Sequence, residues 1–286
     1  MMEVYVSSSC IKAKYIAESV RILFEAGFDR IELSGGTEYY PEVERDLLAF
    51  CRDGIKFLVH NYFPPPEEPF VINLASVDDS IRRKSVRHLE RAINLSSSLG
   101  AGCFGFHAGF FLDFAAGEVG GTLSSKYLSD CRLAWELFLE SVSQLKEVAD
   151  KLGITLYVEN NVLSASNGFS FSKRPFIGLD AEEIEEIREA TGCGVLVDFA
   201  HLYVSSRTLN LDFESQVQRL APLSEYWHLS GNDSLEDKNG EIRSYDSILQ
   251  ILASVPYRPN FLSLEVYDGL PALCRSYSAV VEGLSL

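Results

Sequence analysis

The sequence lacks several features that would define its class at once. No hydrophobic run in the 286 residues is long enough to cross a bilayer, and the start, MMEVYVSSSC, has no basic segment followed by an apolar stretch. We therefore expect no secretory signal. No CxxC pair occurs among the cysteines, which predicts reduced thiols in a cytoplasmic protein and not a disulfide framework. The six are Cys10, Cys51, Cys103, Cys131, Cys193 and Cys274.

Basic residues are also scarce. Lys and Arg number 25 against 41 Asp and Glu, so the formal net charge is −16. Proteins that slide along nucleic acid normally present a basic face, so this balance disfavours such a role, although a local basic patch is compatible with an acidic remainder.

What is present is an alternation of β-rich and helical segments. The length suits one barrel of the α/β class, which takes about 250 residues, and no linker or repeat divides the chain. We predict a single (β/α)₈ TIM barrel over residues 1–286, because strands that alternate with helices form parallel sheets. The predicted strands are Glu3–Ser7, Arg30–Leu33, Lys56–His60, Cys103–His107, Thr155–Glu159, Gly194–Asp198, 226–228 and 261–265. Helical spacing over 127–152 and an N-cap at Asp180 illustrate the helices between them.

Long loops follow strands 3, 4, 5 and 7. They read YFPPPEEPF, AGFFLDFAAGEVGG, NVLSASNGFSFSKRPF and LSGNDSLEDKNGEI. Each leaves the carboxyl end of a strand, which is the face where active sites of this fold lie. The loops therefore predict a covered pocket there.

Metal-ligand residue types end six of the eight strands. Three of the five histidines are among them, and His201 follows in the turn after the sixth strand; we interpret His88 as a solvated helix residue. Carboxylates and imidazoles that converge on a barrel axis need a compensating charge, which a divalent cation supplies. The predicted ligands are His60, His107, Glu159, Asp198, His228 and Glu265.

In this order the motifs resemble the xylose-isomerase-like barrel superfamily, and in particular the endonuclease IV type of apurinic/apyrimidinic endonuclease. Residues 71–109, VINLASVDDSIRRKSVRHLERAINLSSSLGAGCFGFHAG, are similar to its Asn-Leu-Ala-Ser segment, the helix ending in Leu-Gly-Ala and the strand ending in His-x-Gly. VENN resembles its Glu-Asn-Thr, DFAH its Asp-x-x-His, and WHL with Asn232-Asp233-Ser234 its His-Leu-Asn-Asp-Ser.

The resemblance implies a metal site of Glu159, Asp198, His228 and Glu265, a second site of His60 and His107 with Glu159, and a third that includes His201. The third also needs an Asp-x-His after strand 7, where this chain has Asp237-Lys238-Asn239 and no later histidine. PPPEEP after His60 is a further departure, since it adds negative charge where a DNA backbone would pass.

Two activities follow from the resemblance. In a sugar or sugar phosphate isomerase or epimerase, one divalent ion (Zn, Mn, Co or Mg) polarises a carbonyl, Glu159 and Glu265 transfer the proton, and His201 contacts the substrate. In an endonuclease-like hydrolase, two or three zinc ions act on a phosphodiester. The missing third-site histidine and the acidic loop favour the isomerase; His60 and His107 favour the hydrolase.

Further substrate-binding candidates are Asn160 and the loop cations Lys173, Arg174 and Arg243, for which a solvated surface role is the simpler interpretation. Phe110, Phe111, Phe114, Phe169 and Phe171 crowd the same loops, either around a substrate or as core. A barrel that retains metal without catalysis is a third alternative. We expect a small-molecule partner and no membrane, with a homo-oligomer left open.

Overall fold

The strands close into a parallel barrel in chain order. The structure, a computed structural model, describes residues 2–124 and 127–285. Each strand pairs with the next, and the eighth pairs with the first. This confirms the predicted (β/α)₈ TIM barrel; of the predicted 1–286 domain, residues 1, 125, 126 and 286 lie outside the described residues. The strands are β1 (Glu3–Ser7), β2 (Arg30–Leu33), β3 (Lys56–His60), β4 (Cys103–His107), β5 (Thr155–Glu159), β6 (Gly194–Asp198), β7 (Ser224–Leu229) and β8 (Phe261–Leu264).

Strand bounds differ from the prediction only in the last two strands. β7 is longer than 226–228 at both ends, because Ser224 pairs with Val195 and Leu229 with Leu264. β8 ends at Leu264, so Glu265 is the first residue after it.

Helices lie between the strands, and several begin at an aspartate. The side chains of Asp78, Asp130, Asp180, Asp198 and Asp212 each accept a backbone N–H in the first turn, which satisfies a donor with no partner inside the helix. The helices are α1 (Ile16–Glu25), α2 (Val43–Arg52), α3 (Asp79–Ser98), α4 (Cys131–Leu152), α5 (Ala165–Gly168), α6 (Ala181–Thr191), α7 (Phe199–Leu209), α8 (Phe213–Leu220), α9 (Ser247–Ser254) and α10 (Leu270–Gly283).

The core has two layers. Apolar helix faces, such as Phe138, Val142 and Leu145 of α4, pack on the outside of the barrel, and each such side chain contributes about 1.5–3 kcal/mol by leaving water. Inside the barrel, bulky side chains fill the space below the strand ends, so the barrel is a packed core and not a channel. They include Tyr5, Leu58, Tyr157, Leu196 and Tyr226.

One glycine makes room for a site residue. A Cβ on Gly105 of β4 would lie 2.8 Å from Leu196 Cδ1 and 3.1 Å from His60 Cδ2. A larger residue at this position would therefore push against the His60 ring.

The structure also bears on two expectations from composition. All six cysteines lie in the described part of the chain, and they are free thiols there. Within residues 2–124 and 127–285, no helix combines the length and hydropathy of a membrane-spanning segment.

Candidate metal centre

The six predicted ligand residues converge at the carboxyl ends of the strands. Four of them end β3 to β6, one is next to last in β7, and one follows β8. Five are buried, and the sixth, His107, is partly exposed. The set is His60, His107, Glu159, Asp198, His228 and Glu265.

Glu159 lies at the centre of the cluster and is fully buried. Its Oε2 is 2.6 Å from His60 Nε2 and 3.2 Å from His107 Nδ1. Its Oε1 is 3.5 Å from His201 Nδ1 and 3.6 Å from His228 Nδ1. Burial alone would raise the pKa of this carboxyl, but the charges of His107 and His60 hold it well below its usual range.

Asp198 has one engaged oxygen and one free oxygen. Its Oδ1 accepts the backbone N–H of His201 and thereby caps α7, while Oδ2 is buried without a hydrogen-bond partner. Burial raises the pKa of Asp198 to about 6. The Asn160 side chain accepts the Asp198 N–H at 2.8 Å and donates to the Asp198 carbonyl at 3.0 Å, so both ends of its amide are used on this backbone.

A buried carboxylate that sequence reasoning missed orients His228. Glu32 of β2 has an oxygen 3.0 Å from His228 Nε2 and accepts the Tyr226 hydroxyl. Burial opposes the charged form of each group, yet the pairing with His228 lowers the pKa of Glu32 to about 2. The carboxylates of Glu32 and Glu265 raise the pKa of His228 to about 10. The contact through Nε2 leaves Nδ1 pointing at Glu159 and at Glu265, 3.6 and 3.8 Å away. The only sequence signal was a carboxylate inside the apolar segment RIEL.

The loop after β7 reaches His201. Asp237 Oδ2 lies 3.3 Å from His201 Nε2, and Asn239 Nδ2 donates to the same oxygen at 3.3 Å. Asp237 Oδ1 and Asn239 Oδ1 are buried without hydrogen-bond partners. Despite burial, Asp198 and Asp237 raise the pKa of His201 well above its usual value. The Asp237-Lys238-Asn239 segment thus presents a carboxylate to His201 and contains no second imidazole.

The unsatisfied atoms of this region fit a divalent cation. Buried polar atoms normally have partners, because an orphaned one costs about 1–3 kcal/mol. Three groups of residues could each hold an ion, because the potential ligand atoms within each group lie within 4.8 Å of one another. The groups are His60, Glu159 and His228; His107, Glu159 and His201; and Glu32, His228 and Glu265. The unpartnered atoms are His107 Nδ1, Glu159 Oε1, Asp198 Oδ2 and His228 Nδ1, together with the two loop oxygens named above.

The cluster lies beneath a cavity of about 930 Å³. His60, His107, His201 and Glu265 line it, together with residues from the loops after β1, β2, β3 and β7. Burial raises the pKa of Glu265 to about 7. This carboxyl therefore lines the cavity and has a pKa suited to accepting and releasing a proton near neutral pH.

The predicted loop cations lie elsewhere. Arg174 Nη1 is 2.6 Å from both Asp180 and Glu183, where it ties the loop to the start of α6. Lys173 is exposed, and Arg243 is exposed and bonds Tyr245. These three cations and Asn160 are not among the described residues that line the cavity above the cluster.

His88 corrects an expectation. It is buried and not solvated, with its ring edge-on to Phe70 at a centroid distance of 5.6 Å. Burial, and then the charges of Arg91 and Lys84, lower its pKa to about 4.

The aromatic loop residues divide among three surroundings. Phe110 and Phe114 form a cluster with Phe176 beside the site, Phe111 packs on the main core, and Phe169 is 92% exposed. Phe171 packs against the same apolar cluster as Phe110 and Phe114.

Known proteins of similar sequence and structure include sugar epimerases and an endonuclease. Fructoselysine 3-epimerase of Shigella flexneri is 26% identical over 150 residues, and the chain spans about half the length of that relative (50% of this chain, 49% of the relative). A D-tagatose 3-epimerase-like protein has a TM-score of 0.72 at 18% identity and covers 99% of this chain and 97% of its own. Endonuclease IV from Thermus thermophilus has a TM-score of 0.60 at 16% identity, with 99% and 98% covered.

The structural similarities establish the fold, and the match to a family model identifies the family. A family model described as the xylose isomerase-like TIM barrel matches residues 20–278, which confirms the resemblance found in the strand-end motifs. The chain belongs to the xylose isomerase-like TIM barrel family.

Proposed function

We propose that this protein is a divalent-metal-dependent isomerase or epimerase of sugars or sugar phosphates. The observation that carries the proposal is the convergence of Glu159, Asp198, His228 and Glu265, three of which have a buried ligand atom without a partner. Such atoms lose their water partners on folding, and a bound cation or substrate would supply new partners.

These four residues would hold the cation. When bound, a divalent cation polarises a substrate carbonyl and so lowers the pKa of the neighbouring C–H. Glu32 fixes the His228 ring through Nε2, and Asn160 fixes the Asp198 backbone, so the protein positions the ligands before any cation arrives.

Glu265 is the residue to which we assign proton abstraction. It lines the cavity, whereas Glu159 is fully buried beneath four imidazoles and has a low pKa, which suits a ligand better than a base. The Glu265 carboxylate would take the proton from carbon and return it to the neighbouring carbon in an isomerisation. In an epimerisation, His201 is the candidate to return a proton, since it also lines the cavity and bonds Asp237.

The walls of the cavity favour a small substrate over DNA. Among the described residues that line it, Lys12 is the sole lysine or arginine. A nucleic-acid backbone needs several such groups, and a sugar with at most one phosphate needs few.

A second candidate is phosphoester hydrolysis with two cations. It is favoured by His60 and His107, which both face Glu159 Oε2 and would complete a second ligand set. Two cations held there would supply Lewis-acid activation of a water molecule and of the leaving oxygen of a phosphoester. The small number of cavity cations would then restrict the substrate to a small phosphoester.

Deuterium exchange from D₂O into a panel of ketoses and aldoses tests the proposal, on protein loaded with Mn²⁺, Co²⁺, Mg²⁺ or Zn²⁺. We expect exchange with at least one sugar, and a fall of about 100-fold or more in Glu265→Gln with metal content measured in parallel. Glu147→Gln, on the exposed face of α4, is the matched control.

Exchange with no sugar, offered free or as a conjugate and under any metal, would overturn the isomerase proposal. Cleavage of bis(p-nitrophenyl) phosphate by protein holding two zinc ions, lost in His107→Ala, would then support the hydrolase.

A further inference from the structure

A second, smaller cavity opens beside the candidate metal centre. Its volume is about 180 Å³. Tyr62, His107, His201 and Asp237 line both this cavity and the larger one. The two cavities therefore meet at the cluster, and a group held at the cluster can extend from one into the other.

Aromatic rings form one side of the smaller cavity. The Phe110 ring contacts Phe114 and Phe176 edge-on, at centroid distances of 5.1 and 5.3 Å. Leu123 and Val162 also line the space. Edges and faces of three phenyl rings favour an apolar or aromatic occupant.

The amides and one carboxylate in the lining are already engaged by backbone. Asn167 accepts Leu123 N–H and donates to the Gly121 carbonyl, each at 3.0 Å. Asn161 Nδ2 donates to three carbonyls, those of Ala108, Gly109 and Ile177. Glu118 accepts the N–H groups of Ala115 and Ser124.

The other carboxylates of the lining, Glu236 and Asp237, belong to the loop after β7, where Asp237 faces His201. Polar recognition is thus concentrated on the side of the metal cluster, and the phenylalanine side offers dispersion contacts.

We propose that the smaller cavity binds an apolar substituent, about the size of one six-membered ring, carried by the substrate. This inference rests on the proposed function and deepens it, because the substrate becomes an aryl-type conjugate of a sugar and not a free monosaccharide. The volume fits: an apolar cavity of about 150 Å³ holds benzene. The sugar oxygens lie at the metal ligands, and the ring lies among Phe110, Phe114 and Phe176.

Binding of benzyl alcohol, followed by ligand-observed NMR, tests the cavity without reference to catalysis. We expect saturable binding to the wild type and about tenfold weaker binding to Val162→Phe, which fills the space. Phe114→Leu, which removes one ring edge, provides an independent variant and should weaken binding as well. Leu133→Phe, which adds a ring on the exposed side of α4, is the control and should bind like the wild type. Absence of saturable binding to the wild type, or equal binding by all variants, overturns the proposal.

The exchange assay tests the substrate class with ketoses offered free and as O-benzyl ethers. We expect kcat/KM to be at least about tenfold higher for the benzyl ether than for the free ketose, which corresponds to about 1.4 kcal/mol of added binding. In Val162→Phe, we expect the two values of kcat/KM to be equal. A ratio of one in the wild type contradicts the inference. If no sugar exchanges while benzyl alcohol still binds, the proposed function fails and the cavity assignment stands.

Discussion

Replacement of Glu32 by glutamine tests whether a buried carboxylate prepares His228 for metal. The substitution keeps the size of the side chain and removes its charge. Hydrogen bonds to charged groups contribute about 1.5–3 kcal/mol, against about 0.5–1.5 kcal/mol between neutral groups. From the midpoints of these ranges, the 3.0 Å contact with His228 Nε2 would weaken by about 1.25 kcal/mol, which corresponds to about an eightfold loss of metal affinity at Nδ1. Residues that orient a metal ligand typically contribute a factor of about 10–100.

Competition with a chromophoric chelator gives the affinity directly, and circular dichroism shows whether the variant is folded. Tyr226→Phe is the matched control, because it removes the hydroxyl that donates to Glu32 and leaves the Glu32–His228 pair intact. We expect its affinity to fall by less than about threefold. If folded Glu32→Gln binds metal as tightly as the wild type, then either Glu32 does not orient His228 or His228 is not a ligand.

Two further predictions concern residues outside the cluster. His88 has a pKa lowered by burial to about 4, so the unfolded chain takes up a proton near pH 6.5 and the folded chain does not. The stability that neutral His88 contributes is complete above pH 6.5 and is lost as the pH falls toward 4, by up to about 3 kcal/mol. Urea unfolding at pH 7 and pH 4.5 checks this, and an equal pH slope in His88→Leu would contradict it. Arg174→Ala should lower the free energy of unfolding by about 1 kcal/mol, because its ion pairs with Asp180 and Glu183 are partly solvent-screened. Sugar exchange by this variant should be unchanged; a raised KM would instead assign Arg174 to the substrate.

Much of the barrel could be predicted because its local and global signals agree. Runs such as FLVH and LYVE combine β-branched and aromatic residues with one polar residue at the end. In a parallel barrel that polar end is at the open face, so the same residues mark both the ends of the strands and the predicted metal ligands. Glu265 lies one residue beyond its strand and still fits this pattern.

What could not be predicted depends on contacts between distant segments. Glu32 lies inside a strand, and its partners are 194 and 196 residues away in the sequence. His88 has charged neighbours along α3, but Phe70 from the loop after β3 covers it. The sequence around Arg174 gives no sign of its partner. In the fold, its Nη1 lies 2.6 Å from Asp180 Oδ2, and Asp180 also caps α6.

The Asn160 clamp has a consequence for how this barrel can change. Regular pairing between β5 and β6 ends at Glu159 and Leu196, and the Asn160 amide continues it sideways to Asp198, two residues further on. The separation of Glu159 and Asp198, two of the proposed metal ligands, is therefore set by the sheet and one side chain, independently of the loop that follows. That loop can lengthen, shorten or lose its phenylalanines while the distance between Glu159 and Asp198 stays the same. The residues proposed to carry the chemistry and the loop residues proposed to contact the substrate can thus change separately.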